Sequence, residues 1–302
     1  AFKINEDVVI PLPRMAEYTD GIERINIELS LRNKLVLCDG LLAFFAQPRL
    51  PLGRPDDSER VTSAELLEDR VAQARDLIVA VRTQWQGWLN DVDTLFVPLQ
   101  DHSLRASWKL QLRAPLRAIF SGAAFEPILQ ECSAIHKRVL KGRVWVALHM
   151  HAGDGNVHTN IPVNSDDYEM LQTAHQVVKR IMALARSLGG VISGEHGIGI
   201  TKLEFLTEEE LRPFAEYKQR VDPHGRFNKG KLLRQSALPG APSSGLGHET
   251  VFADLSNAYT PSFGLMGHES LIMQQSDIGA ISDSVKDCLR CGKCKPVCAT
   301  HV

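Results

Sequence analysis

Apolar positions recur along this chain in two rhythms, and each predicts its own kind of element. Val8, Val9 and Ile10, closed by Pro11, predict a strand over 4–11. From Met15 on, Ile22, Ile25, Ile27, Leu29 and Leu31 follow helical spacing, which predicts a helix to about Asn33. The run Leu35–Cys38 then reads as a short strand. Residues 46–60 are rich in Pro, Arg and Asp and read as loop. Thr62-Ser63-Ala64-Glu65 is a capping-box pattern opening a helix from Ala64 to about Trp88. Further helical patterns run from Leu104 to Phe120 and from Pro127 to Val139. Trp85, Trp88 and Trp108 in this stretch read as core. Val144–Leu148 reads as a buried strand that runs into a Gly-rich turn. Ser165–Leu188 reads as an amphipathic helix, acidic at its start and closed by Gly189-Gly190. Val191–Ser193 reads as a short strand, and Thr207–Glu210 opens a helix that stops at Asp222-Pro223.

Composition narrows the function classes. Of 302 residues, 44% are hydrophobic and 23% charged, with a formal net charge of -2. So small a charge implies no general attraction to nucleic acid or to an anionic membrane. No apolar run reaches the length of a membrane helix, and no signal peptide is evident. The chain opens inside a strand pattern and closes just after a cysteine cluster, and a fragment of a longer polypeptide is expected. Four of the six cysteines, Cys288, Cys291, Cys294 and Cys298, fall within eleven residues. Without a secretory signal, such crowding points to metal or cluster ligation in a reducing compartment rather than to disulfides.

Two short segments carry chemistry. In His151-Ala-Gly-Asp-Gly-Asn-Val-His158, the Gly and Asp/Asn residues favour a tight turn between strands. A hairpin of that size lets both imidazoles converge on one ion. Turn decoration is the plain alternative, and His149 alternates to the same side as His151. The second segment, Gly194-Glu195-His196-Gly197, sets an acid beside an imidazole between glycines that permit close backbone approach. Two histidines and one carboxylate leave coordination positions open, which is the pattern of a catalytic ion. His196 is then free to move a proton. Local capping by Glu195 and a structural role for His196 remain the alternative.

HAGDGNVH, GGVISGEHGIGITK and DPHGRFNKGKLL together resemble the C-terminal domain of the FAD-linked oxidases, a family that includes D-lactate dehydrogenases, glycolate oxidase subunits and D-2-hydroxyglutarate dehydrogenases. FKINEDVVIPLPRM is similar to that family's opening strand. The likeness covers about 1–45 and 143–234. It implies that His151, His158 and Glu195 hold a divalent metal, zinc or manganese. It also implies that Asn160 and His196 face a small 2-hydroxy acid, that Lys3 meets its carboxylate, and that Asn228 lies toward the cofactor. Lys229 stands where the family has proline. FAD would be held mainly by an upstream domain, so the fragment alone is expected to be inactive. The implied reaction has three parts: the ion lowers the pKa of the substrate hydroxyl, His196 takes its proton, and the C2 hydride passes to flavin.

The spacing Cys288-x2-Cys291-x2-Cys294-x3-Cys298 resembles the first motif of bacterial-type ferredoxins, with Ala299 in place of the usual proline. It implies a 4Fe-4S site completed downstream; zinc is the alternative. The whole polypeptide then reads as an electron path from substrate through flavin to iron–sulfur clusters and on to an unseen acceptor such as a quinone. Its place is cytoplasmic, with a peripheral position at the inner membrane face if a quinone is the acceptor.

The expected organisation is a substrate and metal domain (1–45 and 143–234), a helical insertion (46–142), a linker (235–284) and the start of an iron–sulfur domain (285–302). The expected fold is α+β. Strands at 4–11, 34–38, 143–150, 156–162 and 190–193 would form an antiparallel, ferredoxin-like sheet covered on one face by helices. A zinc-dependent hydrolase and a decayed interaction module are the competing functions.

Overall fold

A computed structural model describes residues 2–53, 64–164, 166–199, 202–228 and 232. The chain opens with β1 (Phe2–Val9) and passes into α1 (Met15–Phe45). Helices α2 (Ala64–Asn90), α3 (Val92–Gln100), α4 (Ala114–Ile119) and α5 (Glu126–Lys141) follow, with a π-helical turn over Trp108–Arg113. The hairpin β2 (Ala147–His151) and β3 (Asn156–Val163) leads to α6 (Tyr168–Ser187) and α7 (Glu208–Val221). The fold is α+β.

The sheet is antiparallel in the order β1-β3-β2. Its two faces differ as strand alternation requires. Ile4, Val8, Val157, Ile161 and Val163 turn into a core closed by Tyr18, Ile22 and Ile25 of α1 and by Leu171, Val178 and Ile181 of α6. The opposite face carries Asn5, Asp7, His149, His151, Asn156, His158 and Asn160. Strand 190–193 shrinks to one antiparallel bridge between Val9 and Val191, with N–H···O distances of 3.0 and 2.9 Å.

A second core gathers the rest of α1 (Leu31, Leu35, Cys38, Leu41, Phe45) with Trp85, Leu112, Phe120 and Ile128. Trp85 is fully buried, and Trp88 and Trp108 pack against this core. The expected strand at 34–38 is not a strand, and α1 continues through it. Leu31, Leu35, Cys38 and Phe45 keep the i, i+4, i+7 spacing, so the helical period wins over four adjacent apolar residues. Gly40 lets α5 approach, because a Cβ there would lie 3.1 Å from Ile135 Cγ2. Two further expectations are corrected in extent. Val144–Val146 are not strand, and β2 starts at Ala147. The first turn of the 104–120 helix is absent, and regular helix in that segment is confined to α4 behind the π-turn.

Start signals elsewhere behave as their chemistry requires. The Asp167 carboxylate accepts the Met170 N–H at 2.9 Å and caps α6. Thr207 and Glu210 form a reciprocal capping box on α7. Residues 62–63, the linker, the 285–302 segment and its four cysteines lie outside the described residues. Cys38 and Cys132 are buried free thiols, and burial pushes each up to about 12. Burial outweighs the pull of Arg82 on Cys38, so neither thiol is activated.

Candidate functional site

The site is built from three cross-strand rows on the open sheet face. Asp7, His158 and His149 stand directly opposite one another, flanked by the rows Asn5–Asn160–Ala147 and Val9–Asn156–His151. The turn between β2 and β3 fixes the register. Asp154 donates its N–H to His151 O at 3.2 Å, and its carboxylate accepts the Asn156 N–H at 3.0 Å. Gly155 takes φ 81° and hands its carbonyl to Ile10 N–H at 2.9 Å. A Cβ there would lie 2.2 Å from Ile10 O, so any other residue would push β1 off the hairpin.

The loop after the Val191 bridge closes over this face. Its Glu195 reaches both histidines, with Oε1 at 3.6 Å from His151 Nε2 and Oε2 at 3.5 Å from His158 Nε2. One ligand atom from each of His151, His158 and Glu195 lies within 4.8 Å of the others. His158 is buried, whereas His151 and Glu195 are exposed. The pair therefore forms a wall with one solvent-open side. The rings of His151 and His196 stand 5.5 and 5.0 Å from that of His158. His149 is 5.9 and 6.0 Å from the rings of His151 and His158 and stays outside the three-atom group.

Asp7 holds the loop in place. Its Oδ2 accepts the backbone N–H groups of Gly194 (2.8 Å), His196 (3.0 Å) and Glu195. Its Oδ1 takes a hydrogen bond from Lys202 Nζ, which also donates to Asp7 O at 2.9 Å. Asp7 and Lys202 are buried. Burial alone would raise the Asp7 pKa, but the Lys202 ammonium and the His196 and Glu195 N–H groups outweigh it and hold the carboxyl well below the usual range. Glu6, 3.6 Å from Lys202, goes the other way, because burial lifts it more than Lys202 lowers it. Lys202 thus has two acidic side chains in reach, Asp7 in hydrogen-bond contact and Glu6 at 3.6 Å. Lys202 is engaged by Asp7 through both its side chain and its backbone carbonyl.

A positive-φ glycine at Gly197 (φ 74°) turns the loop back after His196. Gly194 packs so tightly that a Cβ would sit 2.7 Å from Asn156 Oδ1. His196 Nδ1 lies 3.6 Å from Asp7 Oδ1, so the same carboxylate that clamps the loop also orients this imidazole. Asn156 Oδ1, Asn160 Oδ1 and Ser193 Oγ are buried and have no hydrogen-bond partner among the described residues. Orphaned buried polar atoms beside the cluster fit a polar ligand there.

Residues 126–232 match the family profile of FAD linked oxidases, C-terminal domain. That stretch is an FAD linked oxidase C-terminal domain. Three curated relatives are similar to part of the chain. D-lactate dehydrogenase of Archaeoglobus fulgidus is 43% identical over 88 residues, 28% of this chain and 19% of that protein. Glycolate oxidase subunit GlcD of Escherichia coli is 37% identical over 92 residues, 29% and 18% respectively. D-2-hydroxyglutarate dehydrogenase of Xanthomonas citri pv. viticola is 34% identical over 95 residues, 30% and 20% respectively. The chain thus spans about a fifth of the length of these relatives. No solved structure matches it.

The FAD linked oxidase domain contains His151, His158, Asn160, Glu195, His196 and Lys202, while Asp7 and Glu6 on β1 lie before the matched stretch. Of the residues singled out from sequence, the fold brings together His151, His158, Glu195 and His196, with Asn160 one row away on the same face. Lys3 is exposed on that face, two rows beyond Asp7 and opposite Pro162. Asn228 has a left-handed φ of 44° in the turn that the Asp222 carboxylate organises, accepting Arg226 and Phe227 N–H at 2.8 and 2.9 Å. Among the described residues, no hydrogen bond or ion pair ties Asn228 to the histidines. Asp7 is what sequence reading missed. Its signal was the acidic pair Glu6-Asp7 directly before the apolar run Val8-Val9-Ile10.

Proposed function

We propose that this chain supplies the substrate- and metal-binding part of an FAD-dependent dehydrogenase of small 2-hydroxy acids. The observation that carries the proposal is the convergence of His151, His158 and Glu195 on one point, next to His196. The relatives' printed names, D-lactate dehydrogenase, glycolate oxidase subunit and D-2-hydroxyglutarate dehydrogenase, supply the substrate class.

The donor set of two imidazoles and one carboxylate suits a divalent ion such as zinc or manganese and leaves room for further ligands. Such an ion supplies Lewis acidity toward a chelating hydroxyl and carboxylate. FAD, carried mainly by another part of the polypeptide, supplies the hydride acceptor.

The chain's own residues do the rest. His196 turns Nδ1 toward Asp7, which leaves Nε2 to take the substrate hydroxyl proton. Asp7 stabilises the imidazolium that results, as a buried carboxylate does for a general base. Asn160 offers an unpaired acceptor to a substrate donor, and exposed Lys3 offers charge to a distal carboxylate. The β1-β3-β2 order with Val191 on the outer edge of β1 supports a ferredoxin-like layout with a vestigial fourth strand. We infer further that the C-terminal cysteines ligate a 4Fe-4S cluster that receives electrons from the flavin, by the spacing already described.

The test is elemental analysis of the full chain after incubation with zinc or manganese, beside His158→Ala and Glu195→Gln. About one ion per chain, lost in both variants, is expected from a three-ligand site. Titration of the loaded protein with D-lactate, glycolate and 2-hydroxyglutarate then reads the substrate class. An ion that stays in both variants, or a loaded site indifferent to all three acids, defeats the proposal.

A further inference from the structure

A concave surface lies apart from the histidine cluster. A cleft of about 660 Å³ runs between the middle of α1, the 99–109 segment and residues 140–145, and it shares no lining residue with the histidine cluster. Its charge is one-sided. Lys34, Arg105, Lys109 and Arg143 line it, and Glu23 is the one acid among the lining residues. The side chains of Arg105, Lys109 and Arg143 have no carboxylate partner among the described residues, and Lys34 Nζ has only the Ser30 hydroxyl, at 2.7 Å.

This arrangement differs from a solvated basic face. Lys34 is half-buried, and burial pushes its ammonium below the ordinary lysine value, with Arg105 and Arg143 adding repulsion. Cations that crowd one another in a concave, partly dry place raise the energy of the empty state. A bound anion relieves that repulsion, and the concave surface focuses the attraction. Two arginines are suited to the task, because each guanidinium can grip an oxyanion with a planar pair of donors. The cleft is not wholly polar: half-exposed Trp108 and exposed Trp145 and Leu140 also line it. It therefore has room for a carbon body beside the charge.

We propose that this cleft binds a small organic molecule bearing two or more oxyanion charges, a phosphate ester or a polycarboxylate, held by Lys34, Arg105 and Arg143 apart from the histidine site. A monoanion would leave most of the repulsion unrelieved, which is why a multivalent ligand is specified.

The experiment is isothermal titration of the full, metal-free chain at low salt with two probes, inorganic phosphate and tricarballylate. Saturable binding of either probe is expected, and which one binds tells phosphate esters from polycarboxylates. Arg105→Gln and Arg143→Gln should each weaken it about tenfold, the effect of losing one charge-assisted hydrogen bond. Arg143→Lys should recover part of the loss, and His158→Ala should change nothing. Both arginines are exposed, so these variants should fold. Lys137→Gln, an exposed charge outside this cleft, is the control for general attraction. The proposal falls if neither probe saturates, if the arginine variants bind as wild type, or if Lys137→Gln weakens binding as much as they do.

Discussion

The two halves of α1 sit in different chemistry. Its first turns help to close the sheet core, on whose far side Asp7 and Lys202 are buried and four histidines gather. Its later turns enter a core of leucine, isoleucine and aromatic side chains, where Phe45 stacks on Phe120 at 5.5 Å and the buried Trp85 has its N–H satisfied by Gln111 at 3.2 Å. One region is held by area removed from water. The other sets charges where water cannot reach and relies on their pairing. Replacing part of an apolar core lowers stability without moving a distant functional group, whereas removing one member of a buried pair strands the other.

Asp7→Asn should therefore have the largest effect. It should cost about 3–5 kcal/mol, the range for breaking a buried pair, read as a lower urea midpoint. Metal retention should fall with it, because Glu195 loses its backbone anchor. Adding Lys202→Met should recover part of the stability, a coupling that independent sites do not show. Additive losses would mean that the pair does not act as a unit. Phe120→Ala should cost a similar or slightly smaller amount, about 3–4 kcal/mol from cavity formation. Its metal content should be unchanged. If metal is lost as well, the contrast between the two regions fails.

A smaller effect of opposite sign comes from Tyr18, which is fully buried with a hydroxyl that has no partner among the described residues. Tyr18→Phe removes an unmet polar group and should stabilise the protein by about 1 kcal/mol. A loss on urea unfolding would show that the hydroxyl is satisfied. The smallest effect should be at the edge of the site domain. The Asp222 pKa is lowered to about 2 by Lys218 and then by the Phe227 and Arg226 N–H groups. A carboxylate depressed in the folded state stabilises above its ordinary value, 3.8, and that gain disappears as pH falls through about 2. In Asp222→Asn, the stability-versus-pH curve should be flatter in that window and unchanged in shape near neutrality. An identical acid limb would remove Asp222 from the account.

Much of this was legible in the sequence, and what escaped has a common cause. The imidazole pair and the Glu-His pair each lie within a few residues of one another, so turn chemistry alone exposes them. The helices around them announced themselves through caps and period. Asp7 was hidden because the groups that give it meaning are 187 to 195 residues away in sequence. Leu35–Cys38 misled for a related reason: four adjacent apolar residues read as strand when the window is short, and only the longer period from Leu31 to Phe45 shows that they continue a helix. The strand at 190–193 was foreseen as a full element but pairs at one residue, because Gly194 and the loop beyond it turn to meet Asp7.

One geometric fact outlasts these details. At 1.5 Å per residue, the 31 residues of α1 make a rod about 47 Å long. The rod is shared by both cores, with no break between Ile25, which serves one, and Leu31, which serves the other. A hinge needs a place where backbone angles can change cheaply, and an unbroken helix interior offers none. Force applied to the helical end is thus delivered to the sheet as a tilt of the whole rod. The protein should also melt as one cooperative unit, its two cores giving a single heat-absorption peak rather than two.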